Sequence, residues 1–174
     1  MVVKLIYEAH SITTDNEAGI ATGWLPGELS AAGLVEAAKL GVRRREVEVV
    51  YSSDLRRAAQ TVEVAFPGRE VVWDRRLREC DYGVYNGRPV AELVPLRREY
   101  IEVPWPGGGQ SYRQVVVETA AFLRDVRARH QGATVLVVAH SANRWALQCL
   151  LEGRVLEELM DAPFNWQPGW EYDI

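Results

Sequence analysis

Cysteine and methionine are scarce in this 174-residue chain, two of each, and histidine occurs only three times. Cys80 and Cys149 are too few and too far apart for a disulfide framework or a zinc knuckle. Cys149, inside Trp-Ala-Leu-Gln-Cys-Leu-Leu, is expected as a small core residue of a helix. No apolar run approaches the ~20 residues that a spanning helix needs, and the N-terminus lacks a basic stretch leading into an apolar one. No membrane partner is therefore expected, and a cytoplasmic location follows by default. Positive charge is also in deficit. Twenty basic against 24 acidic residues leave a net charge of −4, which gives no general attraction to nucleic acid. No internal repeat, linker or low-complexity stretch is visible. The remaining composition, 48% hydrophobic and 25% charged, is ordinary for a globular protein, and the length suits a single domain over residues 1–174.

Two of the three histidines close apolar, β-branched runs: Val2-Val-Lys-Leu-Ile-Tyr-Glu-Ala-His10 and Thr134-Val-Leu-Val-Val-Ala-His140. Each run breaks directly afterwards at a small polar residue, Ser11 or Ser141. In an open α/β sheet, ligands bind in the crevice outside the carboxyl ends of parallel strands, so two imidazoles brought there form one candidate site. The third, His130, lies among Arg127, Arg129 and Gln131 at a helix end, where a solvated cation is favoured by the helix dipole.

Strands are expected at 2–8, 47–51, 71–73 and 134–139, with an edge strand in the tail 164–172. A Gly/Thr/Asn-rich loop fills 11–29. A helix begins near Ser30, a good N-cap, with Leu34, Ala37, Ala38 and Gly41 at helical spacing. Ser52-Ser-Asp54 caps a second helix from Leu55 to about Val64. A turn-rich loop covers 77–87, a short helix falls within 89–101, and Pro104-Trp-Pro-Gly-Gly-Gly109 breaks the chain. The longest helix runs from Ser111 to about His130, and another from about Ala142 to Leu151. Strands alternating with helices imply a three-layer α/β/α sandwich with a mainly parallel central sheet.

Four groups then converge on one sheet edge. His10 and His140 follow strands, Arg57 lies in the first turn of the helix after the second strand, and Glu79 sits in the loop after the third. An imidazole nucleophile, a fixed guanidinium and a carboxylic acid are what phosphoryl transfer through a phosphohistidine requires. The imidazole attacks phosphorus, arginine and helix N-terminal amides hold the oxygens, and the acid protonates the leaving alkoxide and later activates water. A metal hydrolase built on His10, His140 and a carboxylate is a rival reading, without helical His-x-x-x-His spacing to support it.

The motifs resemble those of the histidine phosphatase superfamily, with its phosphoglycerate-mutase-like fold. Ser52-Ser-Asp-Leu-Arg-Arg57-Ala-Ala-Gln-Thr61 matches the family's Ser-Ser-Asp-Leu-x-Arg-Ala-x-Gln-Thr, and Leu77-Arg-Glu79-Cys-Asp-Tyr-Gly83 its Leu-x-Glu-x-x-x-Gly. Val138-Ala-His140-Ser141 and Pro106-Gly-Gly-Gly-Gln-Ser111 match two further elements, in order along nearly the whole chain. The resemblance implies His10 as phosphorylated nucleophile, Arg57 as phosphate ligand, Glu79 as proton donor and His140 as a second imidazole on phosphate. It also implies Asn16 as a phosphate or substrate contact, a small phosphorylated substrate, and no metal or organic cofactor.

One departure stands out. The family opens on Arg-His-Gly-Glu-Thr, and here the residue before the nucleophile is Ala9, with Glu8 facing the other side of the strand. That removes a charge-assisted contact worth ~2–3 kcal/mol. Arg144, in the first turn after His140, is the best replacement candidate, with Arg56 and Arg78 behind it. The readings are a phosphomonoester hydrolase, a relative that binds a ligand without catalysis, and, behind these, a mutase. Ser11 and Ser141 stand where the family has glycine, free to contact phosphate or to cap turns. Trp24, Trp166 and Trp170 either pack in the core or line a pocket. Cys80, beside Glu79, has no base marked for it and is a poor nucleophile candidate.

Overall fold

The computed structural model describes residues 1–162 and 164–174. In chain order its elements are β1 (Lys4–Ala9), α1 (Thr14–Ala18), β2 (Ile20–Ala21), α2 (Ala31–Arg43), β3 (Val49–Ser52), α3 (Arg56–Ala65), β4 (Val72–Trp73), β5 (Arg88–Pro89), α4 (Val90–Leu93), α5 (Tyr112–Arg129), β6 (Thr134–Ala139), α6 (Ser141–Glu152), α7 (Leu156–Leu159) and β7 (Trp170–Asp173). Short 3-10 turns occupy Arg75–Leu77, Gly83–Tyr85 and Val94–Tyr100.

The main sheet has the order β4-β3-β6-β1-β7, all parallel except β7, which pairs antiparallel with β1 at the edge. Alternation along the strands sorts side chains to two covered faces. Ile6, Val50, Leu136 and Val138 meet Leu40 of α2 with Ala58 and Val62 of α3. Leu5, Tyr7, Tyr51, Val135 and Val137 meet Phe122, Leu123 and Val126 of α5 with Leu147 of α6. The mainly parallel three-layer α/β fold is thus present. A third cluster, around Trp105, Tyr112 and Trp145 with Tyr82, Leu93 and Ile101, forms a cap beside the sheet's carboxyl edge.

Several elements differ from the sequence reading. The loop 11–29 contains α1, because Thr13 and Asn16 cap each other reciprocally: Thr13 N donates to Asn16 Oδ1 at 3.0 Å and Asn16 N to Thr13 Oγ1 at 2.9 Å. The N-cap of α3 is Leu55, whose amide donates to Ser53 Oγ, while Asp54 is held by Arg78 instead. His130 is not fully solvated: it is half-buried, edge-on to the Tyr51 ring, with Nε2 2.8 Å from Tyr51 Oη.

Register is what positions the site. Ala9 pairs with Ala139 on the neighbouring parallel strand, and His10 N donates to Ala139 O at 2.9 Å. His10 and His140 therefore leave the sheet side by side at the same height. Ser53 N donates to Val138 O, which brings the start of α3 to the same edge.

Candidate active site

The cavity at this edge has a volume of about 600 Å³, and Ala9, His10, Asn16, Arg57, Glu79 and Ser141 are among the residues that line it. The His10 and His140 ring centroids lie 5.1 Å apart. His10 Nδ1 is 2.7 Å from Ser11 O. A carbonyl only accepts, so Nδ1 carries the proton and Nε2 holds the lone pair. Burial first, and the Arg57 charge second, lower the His10 pKa from 6.5 to about 3 against the pull of the Ser11 carbonyl. The ring is a neutral imidazole across the physiological range, as a nucleophile requires.

His140 is fully buried as the N-cap of α6. Its Nε2 lies 2.9 Å from Ser53 Oγ, its backbone N–H donates to Asn143 Oδ1, and its Nδ1 has no partner among the described residues. Burial, then Arg57 and His10, hold its pKa well below the usual imidazole range. Arg57 is 3% exposed. Nη2 donates to Gly23 O at 2.9 Å, and Nη1 is buried without a partner among the described residues. Burial, opposed by Glu79, lowers the pKa of its guanidinium, which keeps its charge all the same. An unpaired buried guanidinium nitrogen next to an unpaired imidazole nitrogen is costly unless an anion completes both.

Glu79 is 6% exposed and held by three donors: Cys80 N at 2.9 Å and Ala142 N at 3.2 Å on Oε1, and the Ser141 hydroxyl at 2.9 Å on Oε2. Trp24 Nε1 donates to its backbone carbonyl at 2.7 Å, so Trp24 anchors the acid's loop rather than the substrate pocket. The Ser11 hydroxyl donates to Gly33 O at 2.6 Å and its amide to Thr61 Oγ1, so Ser11 ties β1 to α2 and α3. Cys80 is fully buried, and burial followed by the neighbouring Glu79 pushes its thiol pKa well up, which makes it inert. Among the described residues, no group of three His, Cys, Asp or Glu side chains gathers into a metal-ligating set. No helix there is long and apolar enough to cross a membrane.

The structure brings His10, Arg57 and Glu79 onto one cavity with His140 buried beside the His10 ring, and leaves Asn16 on the cavity wall with its Oδ1 engaged in the α1 cap. Arg144 is not part of the group. Its Nη2 pairs with Glu152 at 2.9 Å, its guanidinium lies 4.7 Å from the Trp170 ring centroid, and it lines a separate cavity of about 250 Å³. Glu152, two turns along the same helix, and the edge strand β7 capture the fork before it can turn toward His10. Arg56 and Arg78 are also spent: Arg56 on Glu28 and Glu63, and Arg78 on both Asp54 oxygens at 2.7 Å. The cavity's other arginines are Arg43 at the end of α2 and Arg97 in the 3-10 segment Val94–Tyr100. Sequence reasoning passed over both. A signal for Arg43 existed, since Glu8 in an otherwise apolar strand needs a cation partner. Phe164 and Trp166 line the cavity as exposed aromatics, whereas Trp170 packs under Arg144.

The chain matches the profile of the Histidine phosphatase superfamily (branch 1) over residues 9–166. It is 34% identical, over 87% of its length and 77% of the relative's, to Phosphoserine phosphatase 1 of Hydrogenobacter thermophilus. The structure of Bacillus stearothermophilus YhfR superposes with a TM-score of 0.81 at 25% identity, covering 95% of this chain and 88% of that one. A mycobacterial glucosyl-3-phosphoglycerate phosphatase solved with VO3 superposes with a TM-score of 0.75 at 29% identity, covering 87% and 83%.

Proposed function

The chain belongs to the histidine phosphatase superfamily, and from that premise we propose that it hydrolyses a small-molecule phosphomonoester through a phosphohistidine on His10. The observation that carries this is the His10 ring: neutral, tethered through Nδ1 to Ser11 O, and lining the cavity beside Arg57 and Glu79. The Nε2 lone pair attacks phosphorus as the P–O ester bond breaks, and protonated Glu79 passes its proton to the departing alkoxide. The Cys80 and Ala142 amides and the Ser141 hydroxyl then hold the resulting carboxylate. A water attacks the phosphohistidine and gives a proton back to Glu79. The P–N bond breaks and phosphate leaves. Arg57 Nη1 and His140 Nδ1, both buried without a partner among the described residues, take the phosphoryl oxygens. None of these steps needs a metal or an organic cofactor.

The leaving group reaches toward Arg97. No carboxylate pairs with this guanidinium among the described residues, its Nε is buried without a partner, and it lies 5.2 Å from the Trp145 ring centroid. A free cation in a wall shared with Tyr82, Val90 and Leu93 suits an anionic leaving group, as in a phosphorylated hydroxy or amino acid. The relatives named for phosphoserine and glucosyl-3-phosphoglycerate act on substrates of that class. We read residues 1–174 as one domain, and propose a cytoplasmic location, which two free thiols suit.

Ala9 supports a second reading, a member that binds phosphorylated ligands without turning them over. Incubation with a panel of phosphomonoesters, with and without chelator, separates the two. Chelator-resistant release of phosphate that His10→Ala abolishes is the expected result. A folded protein that binds phosphate and turns over no ester in the panel establishes the second reading. Turnover that chelator removes points instead to a metal hydrolase.

A further inference from the structure

A phosphoryl dianion against His10 meets one guanidinium, Arg57, and two imidazoles that burial keeps neutral. One cation against two negative charges in a partly desolvated pocket leaves a charge deficit. The neighbouring position, Ala9, contributes only a methyl group to the cavity wall. Resting on the hydrolase reading above, we propose that Arg43 supplies the missing guanidinium, reaching the phosphate site from helix α2 instead of from strand β1.

Arg43 lines the same cavity as Ala9, His10 and Arg57. Its Nε and Nη2 donate to the two oxygens of Glu8 at 3.1 and 2.8 Å, a two-point grip that fixes the plane of the guanidinium. Nη1 has no protein partner among the described residues. Glu8 is fully buried and on the strand face opposite to Ala9, so it holds Arg43 from the α2 side, while Ala9 lines the cavity with a methyl group.

Pairing with Glu8 does not exhaust the charge. Arg44 also donates to Glu8 at 2.8 Å, and its other nitrogens reach Glu171 and Pro168 O. Lys4 shares Glu171 at 3.0 Å. Three cations, Lys4, Arg43 and Arg44, thus face two carboxylates, and the surplus positive charge falls where a guanidinium nitrogen is still free, on Arg43. The acid that α2 contributes to the cavity lining, Glu36, is engaged by Lys39 at 2.6 Å. Arg97 stands with Tyr82 and Trp145 in the cap cluster, away from Glu8, and is assigned to the leaving group.

The test is the affinity of the full chain for inorganic phosphate and for vanadate, measured by calorimetry. The proteins compared are wild type, Arg43→Ala, Arg43→Lys, Ala9→Arg/Arg43→Ala and Arg97→Ala, with melting curves as folding controls. Arg43→Lys keeps a positive charge on buried Glu8 but loses the second fork, so it reports on the phosphate contact even if Arg43→Ala unfolds. Both Arg43 variants are expected to bind phosphate ~10-fold or more weakly, the loss of one charge-assisted hydrogen bond. Restoring an arginine at position 9 in the Arg43→Ala background is expected to recover most of that affinity. Arg97→Ala is expected to leave phosphate affinity unchanged and to raise KM for anionic substrates. Unaltered affinity in both Arg43 variants, or no recovery in the double variant, overturns the assignment and leaves the hydrolase reading intact. Loss of phosphate affinity in Arg97→Ala alone overturns it in favour of Arg97. A wild-type chain that neither binds phosphate nor hydrolyses an ester removes both.

Discussion

The carboxyl ends of β1 and β6 are near-copies of one another. Both are parallel strands, in register at Ala9 and Ala139, and both lead into a histidine followed by a serine. Their histidines nevertheless meet different partners. His10 is tied through one nitrogen to the next carbonyl and lines the cavity, whereas His140 is fully buried and bound to Ser53. The serines divide in the same way: Ser11 donates into the α2 backbone and Ser141 into the Glu79 carboxylate. Strand position therefore brings a side chain to the site, and the hydrogen bond on its far side decides what it does there.

The largest predicted effect breaks the symmetry at the nucleophile. His10→Ala is expected to lower kcat by ~10³-fold or more and to abolish any covalent phosphoenzyme. His140→Ala, which removes an electrostatic partner, is expected to cost ~10²-fold while the phosphoenzyme still forms. Equal losses in the two variants, measured by steady-state kinetics and intact mass, would contradict the division of roles.

Next in size is the acid-side behaviour. In the unfolded chain His10 takes up a proton near its ordinary value of 6.5, whereas in the folded protein it does so only at about 3. The unfolded state therefore binds more protons between these limits, and stability falls as pH drops from 6.5 toward 3. The melting temperature is expected to decline over that window, and to decline less steeply in His10→Gln. For the same reason kcat/KM is expected to show no acid limb at the ordinary imidazole pKa, which a pH–rate profile checks.

Smaller effects sharpen the comparison further. Arg144→Ala is expected to leave phosphate affinity unchanged and to destabilise the fold by ~1–3 kcal/mol, because it removes the Glu152 pair and the cation over Trp170. Weakened phosphate binding in this variant, at unchanged melting temperature, would return Arg144 to the site. Ser141→Ala is expected to lower kcat/KM several-fold for alkyl phosphates and to spare aryl phosphates, whose phenolates leave with little help from Glu79.

These residues also show how far the sequence alone reaches. His10, Arg57, Glu79 and His140 were legible because each sits at a fixed offset from a strand end or helix start, where local pattern dictates position. Arg43 and Arg97 were not, since their place depends on how α2 and a 3-10 segment pack against the sheet. Proximity in the chain to His140 points Arg144 at phosphate, but that measure ignores Glu152 and Trp170 competing for the same guanidinium. The layers and the mainly parallel sheet followed from strands alternating with helices, whereas the order β4-β3-β6-β1-β7 depends on pairings that local pattern does not carry. Helix α1 was missed because Thr13 and Asn16 read equally well as turn formers, and only their reciprocal cap distinguishes a helix.

In the proposed reaction the phosphoryl group passes through His10 and not directly to water, with or without a metal. Rapid acid-free quenching of the wild-type protein with a phosphomonoester, in chelator, followed by peptide mass spectrometry and phosphorus NMR, tests it most directly. A phosphoryl group on His10 that forms and decays at rates matching turnover is the predicted result. Turnover with His10 unmodified throughout, or turnover that persists undiminished in His10→Ala, would contradict it.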